Sequence, residues 1–234
     1  MRVEPYTVGS YLHVIKRGAR GMKIVRDDAD KWRFLRMLFL LNDKQFDKNW
    51  RKLKRSTEKQ ETPLFYRPEH WPPRETIVDI EAYTLMPNHF HLIIHEKLEG
   101  GVSQFMKRLG QSMTNHANDK YQEQGSLFQG AFRSRTIKDD RYLRYVAAYV
   151  MVKNTFELYP DGGLQAATTD FEKVWNWALS YSFSSLPDYA GRRVSSPILH
   201  NGLLKSVFTL AEFKTFSKDV LLGGKWKDKN IAFE

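Results

Sequence analysis

The sequence contains no cysteine, which removes disulfides, thiolate zinc sites and cysteine nucleophiles together. Any metal must then be held by histidine, carboxylate, amide or water. No stretch approaches the apolar run that crosses a bilayer, and Met1-Arg2-Val3-Glu4-Pro5 lacks the apolar core of a secretory leader. The expected location is therefore the cytoplasm, with no membrane partner. Internal repeats and low-complexity tracts are missing too. Acidic charge is scarce: 27 Asp and Glu stand against 37 Lys and Arg, and the formal charge of +10 suits a polyanion such as nucleic acid. Aromatic residues, at 14%, serve either to stack bases or to fill a core. With 41% hydrophobic residues, a chain of 234 can bury one sizeable core and carry an appendage on it.

Ser10 to Ile15 reads as a strand that ends in the basic turn Lys16-Arg17-Gly18-Ala19-Arg20. Asp27 or Asp28 offers a cap for a helix whose apolar residues recur from Trp32 to Phe39. Between residues 43 and 76 the composition turns to Lys, Glu, Gln and Pro, and Pro68, Pro72 and Pro73 oppose regular structure, so this stretch reads as an insertion. Two strands follow, Asp79 to Met86 and His89 to His95, joined at Pro87-Asn88. Val102, Phe105, Met106 and Leu109 mark one face of a helix running toward Tyr121, with Lys107 and Arg108 on its other side. Arg133 to Ile137 reads as a fourth strand, and Asp139-Asp140 cap a helix through Asn154. This order predicts an α+β fold: a ferredoxin-like antiparallel sheet with helices on one face, plus a tyrosine-bearing helix. Residues 1–155 form the expected catalytic domain. Residues 156–234 are expected to be an appendage packed on it, with a Trp175-Asn176-Trp177 cluster, turn residues at Pro187 and Gly191 and a short apolar segment from Leu203 to Leu210.

On a strand, His89 and His91 leave the same face, a spacing that can hold one metal from two sides, while Phe90, Leu92 and Ile94 point into a core. Taken alone, such a pair is more often two half-exposed histidines than a metal site. His95 shares their face as a strand-end residue or a group behind the ligands. Tyr149 follows the spacing of Tyr142, Tyr145, Val146 and Val152, which by itself describes a core tyrosine. Arg17 and Arg20 on the first turn, and Arg133 and Arg135 beside the fourth strand, are candidates for forked phosphate contacts. Lys107 and Arg108 are weaker ones.

The segment Tyr83-Thr84-Leu85-Met86-Pro87-Asn88-His89-Phe90-His91-Leu92-Ile93 resembles the signature of the HUH single-tyrosine transposases, in the branch of REP-associated or insertion-sequence-200-like tyrosine transposases. Further similarity lies in Tyr11-Leu12-His13-Val14 through Arg17-Gly18, in Gly125 to Ser134, in Tyr142-Leu143 through Tyr149-Val150, and in Trp177 to Ser185. The resemblance implies that His89 and His91 bind Mg or Mn. It also implies that Tyr149 attacks a phosphate of single-stranded or hairpin DNA, leaving a 5′-phosphotyrosine link, and that the protein works as a homodimer associated with the nucleoid.

One departure stands out. The family places Asn or Gln four residues after its tyrosine as a third ligand, whereas here position 153 is Lys and the amide is Asn154. Five steps of about 100° turn Asn154 away from the tyrosine's face on a regular helix, so it reaches a metal only if the helix ends or bulges. Lys153 would otherwise meet the phosphate as a cation. A catalytically inactive DNA-binding derivative is therefore an alternative expectation. A ferredoxin-like RNA-binding module is a third, opposed by the lack of an aromatic-rich RNA-binding strand.

Overall fold

Alternation along one strand sorts the whole molecule. The structure, a computed structural model, describes residues 5–46, 63–193, 196–200 and 202–223. Within them β1 (Tyr11–Arg17), β2 (Asp79–Leu85), β3 (His89–His95) and β4 (Arg133–Ile137) form one antiparallel sheet in the order β2-β3-β1-β4. Phe90, Leu92 and Ile94 of β3 join Leu12 and Val14 of β1 on one face. There they meet α1 (Asp28–Leu40) and α2 (Gly101–Tyr121) through residues such as Phe34, Leu38, Phe105 and Leu109. The Phe34 and Phe90 rings lie 5.1 Å apart. Each such aromatic or aliphatic side chain stabilises the fold by about 1.5–3 kcal/mol when fully buried. This is the expected α+β, ferredoxin-like sheet with two helices on one face.

The caps fall where the carboxylates predict. Asp27 accepts from the Asp30 amide at the start of α1, satisfying an N–H that has no partner within the helix. Asp30 itself is buried and gathers Lys120, Tyr121 and His116 of α2 at 2.6–2.9 Å. Burial pushes its carboxyl up, but hydrogen bonds from Lys120, Tyr121, the Arg26 amide and His116 outweigh that and hold it well below the usual carboxylate range. A carboxylate held low in the folded state contributes its full stability above the unfolded pKa of about 3.9. That contribution is lost as pH falls through the lower, folded value. Stability should therefore decline below about pH 4, and Asp30→Asn should cost about 1.5–3 kcal/mol at neutral pH while flattening the acid limb. Urea melts across pH 2–7 check this, and an equally steep acid limb in the variant would place the sensitivity elsewhere.

The base of the insertion is closed by Asn42. Its amide accepts from the Ile77 and Val78 N–H groups and donates to the Val78 carbonyl. Arg67 pairs with Asp43 at 2.7 Å, and the described residues 63–76 form neither helix nor strand, as their prolines require. The rest of the insertion, 47–62, lies outside the described residues.

The opposite face of the sheet is covered by α3 (Asp140–Ala148), capped by Asp139. It continues through Tyr149–Lys153 and Asn154–Phe156 as one rod. Ala82 and Ile93 of the sheet, Val146 and Val150 of the rod, and Phe171, Trp175 and Phe213 from beyond it make a second core. Beyond the rod come α4 (Gly163–Thr169), α5 (Phe171–Ala178), α6 (Leu186–Tyr189), α7 (Leu203–Val207) and α8 (Leu210–Leu222), with Phe171 and Trp175 on α5 and Phe213 on α8. Pro187, expected in a turn, instead lies in the first turn of α6, where its missing N–H costs nothing. The same segment shields the sheet's edge: Ser184 bridges Thr84 and Leu199 bridges Ile80 on β2, blunting a strand that would otherwise be open to pairing.

Candidate metal and nucleophile site

The face that carries His89 and His91 looks toward the α3 rod. Strand register sets His89 opposite Arg17 and His91 opposite Ile15, with His13 one step along on β1, opposite Ile93. His89 donates through Nδ1 to the Asn88 side-chain oxygen at 2.7 Å. His91 Nδ1 shares a hydrogen bond of 2.9 Å with His13 Nε2. The His89 and His91 rings lie 4.9 Å apart. With their Nδ1 atoms engaged in this way, both imidazoles would present Nε2 to a metal, the arrangement in which a hydrogen bond at one ring nitrogen orients the other.

Tyr149 approaches this pair from the helix. Its ring centroid lies 5.6 Å from that of His91 and 5.9 Å from that of His13, and the residue is 1% exposed. From Tyr149 to Lys153 the backbone makes a π turn, and the Asn154 N–H bonds the Tyr149 carbonyl five residues back. Thr84 of β2 donates its hydroxyl to the Val150 carbonyl at 2.6 Å, fastening the turn to the sheet. A π turn accommodates one extra residue within a helix. It supplies the bulge on which a role for Asn154 depends, because on a regular helix five residues overshoot the tyrosine's face by about 140°. Asn154 is 0% exposed, and neither its Nδ2 nor its Oδ1 has a hydrogen-bond partner among the described residues. Buried side-chain amides are nearly always satisfied, and an orphaned polar group costs about 1–3 kcal/mol.

Lys153 lies beside the tyrosine. Its Nζ sits 4.7 Å from the Tyr149 ring centroid and 2.7 Å from Glu157. On β4, Arg133 and Arg135 pair with Ile15 and His13, so together with Arg17 they share the histidine face. Arg135 also lies over the Tyr142 ring. Arg20 stands apart, exposed on the one-turn helix Ala19–Gly21 with φ of 53°. Two weaker candidates separate: Arg108 donates to the Leu41 and Asp43 carbonyls and anchors the insertion, while Lys107 is exposed on the same helix. His95 pairs with Asp79 at 3.2 Å and stacks on Tyr11, at the opposite end of β3 from His89. Among the described residues no three His, Asp or Glu side chains gather as a metal cluster, so the donor set on offer is two imidazoles and an amide.

Residues 74–153 match the family model described as "Transposase IS200 like". Over that stretch, about a third of the chain, the sequence is similar to the IS200-like transposases. The IS200-like match takes in β2, the two-histidine strand, α2, β4 and Tyr149, and ends one residue short of Asn154. No curated protein matches the chain. One solved structure, a REP-associated tyrosine transposase bound to a REP hairpin, is similar over 91% of this chain and 96% of that one, with 14% identity and a TM-score of 0.44. Among the described residues no helix is long and apolar enough to cross a membrane.

His13 is the residue that reasoning from sequence missed. Its signal was parity: Tyr11, His13, Ile15 and Arg17 alternate onto one face of β1, but only the pairing of β1 with β3 shows that this is the face of His89 and His91.

Proposed function

We propose that this protein is a divalent-metal-dependent transposase that cuts and rejoins single-stranded or hairpin DNA through Tyr149. His89, His91 and Asn154 hold Mg or Mn in this reading. The observation that supports it is the Asn154 amide, fully buried, without a partner among the described residues, and set by a π turn one helical turn below a tyrosine that packs on His91. The carboxamide oxygen, with water completing the shell, is the hard donor that suits Mg or Mn, and the two imidazole nitrogens join it. When bound, the metal supplies Lewis-acid polarisation of a phosphate oxygen.

The remaining chemistry belongs to the chain. Tyr149 Oη loses its proton and forms a bond to phosphorus, the bond from phosphorus to the 3′ oxygen breaks, and that oxygen leaves as a 3′-hydroxyl after taking up a proton. The 5′ phosphate stays on the tyrosine. Rejoining is the reverse attack by a 3′-hydroxyl, so no nucleotide cofactor is consumed. Arg17, Arg133 and Arg135 line the face on which the strand must lie and grip its phosphates, with Arg20 extending the contact past the first turn. Lys153, held by Glu157, sets a positive charge beside the tyrosine on which negative charge develops during attack and departure. The working unit is a homodimer.

A second reading has one observation in its favour. Tyr149 and His91 are buried, so a phosphate enters only if the surrounding residues part. A DNA-binding derivative without activity would keep this closed arrangement. Incubating the protein with Mg or Mn and single-stranded hairpin DNA separates the two: the transposase forms a denaturation-resistant protein–DNA adduct, and the inactive derivative shows only salt-sensitive binding.

A further inference from the structure

The residue that holds His91 is itself a histidine, and its placement gives it a specific task. We infer that His13 is a positioning residue for the metal site, fixing through its Nε2 the ring orientation and tautomer in which His91 offers Nε2 to the metal. This rests on the reading of His91 as a ligand. Three observations carry it. His13 Nε2 lies 2.9 Å from His91 Nδ1, within hydrogen-bond reach, so one of the two nitrogens donates and the other accepts. The rings are nearly parallel, 5.2 Å apart with 24° between their planes, so the bond restrains the tilt of His91 as well as its distance. His13 is also packed edge-on against Tyr149, touching the ligand on one side and the nucleophile on the other.

Its position is rigid for reasons of sequence. His13 is in the middle of β1, one of the two strands with a neighbour on each side, and pairs with Ile93 and Arg135. Leu12 and Val14, on either side of it, are anchored in the core beneath α1 and α2. A ligand-orienting group must not move, and a central strand is a better mount than a loop. If Nε2 of His91 takes the metal, its proton must reside on Nδ1, and His13 Nε2 is the acceptor that keeps it there. Losing such a partner behind a metal ligand typically weakens metal affinity by about 10–100-fold.

The test is Mn binding by the full chain without DNA, followed by calorimetry and by Mn electron paramagnetic resonance, on wild type, His91→Ala, His13→Leu and His13→Gln. Wild type should bind and His91→Ala should not. His13→Leu should bind about 10–100-fold more weakly. His13→Gln, whose amide reaches the position of Nε2, should recover most of the loss. Nitrogen-15 spectra of the wild-type apoprotein should show the His91 proton on Nδ1. If His13→Leu binds Mn as tightly as wild type while His91→Ala does not bind, the positioning role is overturned and the metal site stands. Equal binding by His91→Ala overturns the site and this role with it. Should His13→Leu fail to fold, the glutamine variant and the wild-type spectrum decide, and a His91 proton found on Nε2 overturns the inference.

Discussion

Replacing Tyr149 by phenylalanine should abolish the covalent protein–DNA product while leaving DNA binding in place. The variant removes one oxygen from a ring packed against His13 and His91, so the packing that the ring provides survives. Losing a nucleophile from a group that acts as a unit lowers turnover by several orders of magnitude, on the order of 10⁴-fold or more. The comparison is made on denaturing gels with a labelled single-stranded hairpin and Mn, alongside a filter-binding measurement of affinity. A covalent adduct formed by Tyr149→Phe would remove Tyr149 from the reaction.

The second large effect is expected at Asn154, and its sign distinguishes a ligand from a structural residue. A buried amide that closes hydrogen bonds within the fold is costly to remove. Asn154 has none among the described residues, so Asn154→Leu should leave the metal-free protein as stable as wild type or more so. What it should lose is stabilisation by metal. At a free metal concentration 100 times the dissociation constant, binding adds about 2.7 kcal/mol to wild type. A variant with 100-fold weaker binding would gain only about 0.4 kcal/mol under the same conditions. Lys153→Gln, one residue away, should keep the full metal response. Deleting Met151, which removes the extra residue from the π turn, should also keep it, because four residues on a regular helix return the amide to the tyrosine's face. Thermal or urea melts with and without Mn measure all four proteins. A destabilised metal-free Asn154→Leu with an undiminished metal response would make Asn154 structural.

The parts of this arrangement that could be read in advance are those written in local chemistry. Strand parity put His89 and His91 on one face and Phe90 on the other. Asp27 and Asp139 marked helix starts because a short carboxylate can accept the helix's first unpaired N–H groups. Prolines kept residues 63–76 out of helices and strands. The π turn could not be read, since Val150-Met151-Val152 contains no glycine or proline to mark it. What fastens it to the sheet is a hydrogen bond from Thr84, distant in sequence. His13 and Arg108 were hidden for the same reason: their partners, His91 and the carbonyls of Leu41 and Asp43, become neighbours only once strands and helices are paired. Arg17, Arg133 and Arg135 came from charge alone, and only the β1 and β4 register shows that they share the histidine face.

In the proposed site the π turn brings Asn154 to the same metal as His89 and His91. Anomalous diffraction from crystals grown with Mn tests it most directly. One Mn peak is expected, with His89 Nε2, His91 Nε2 and Asn154 Oδ1 each at about 2.0–2.3 Å and the Tyr149 hydroxyl facing it. A peak that lacks Asn154, or no peak between the two histidines, would contradict it.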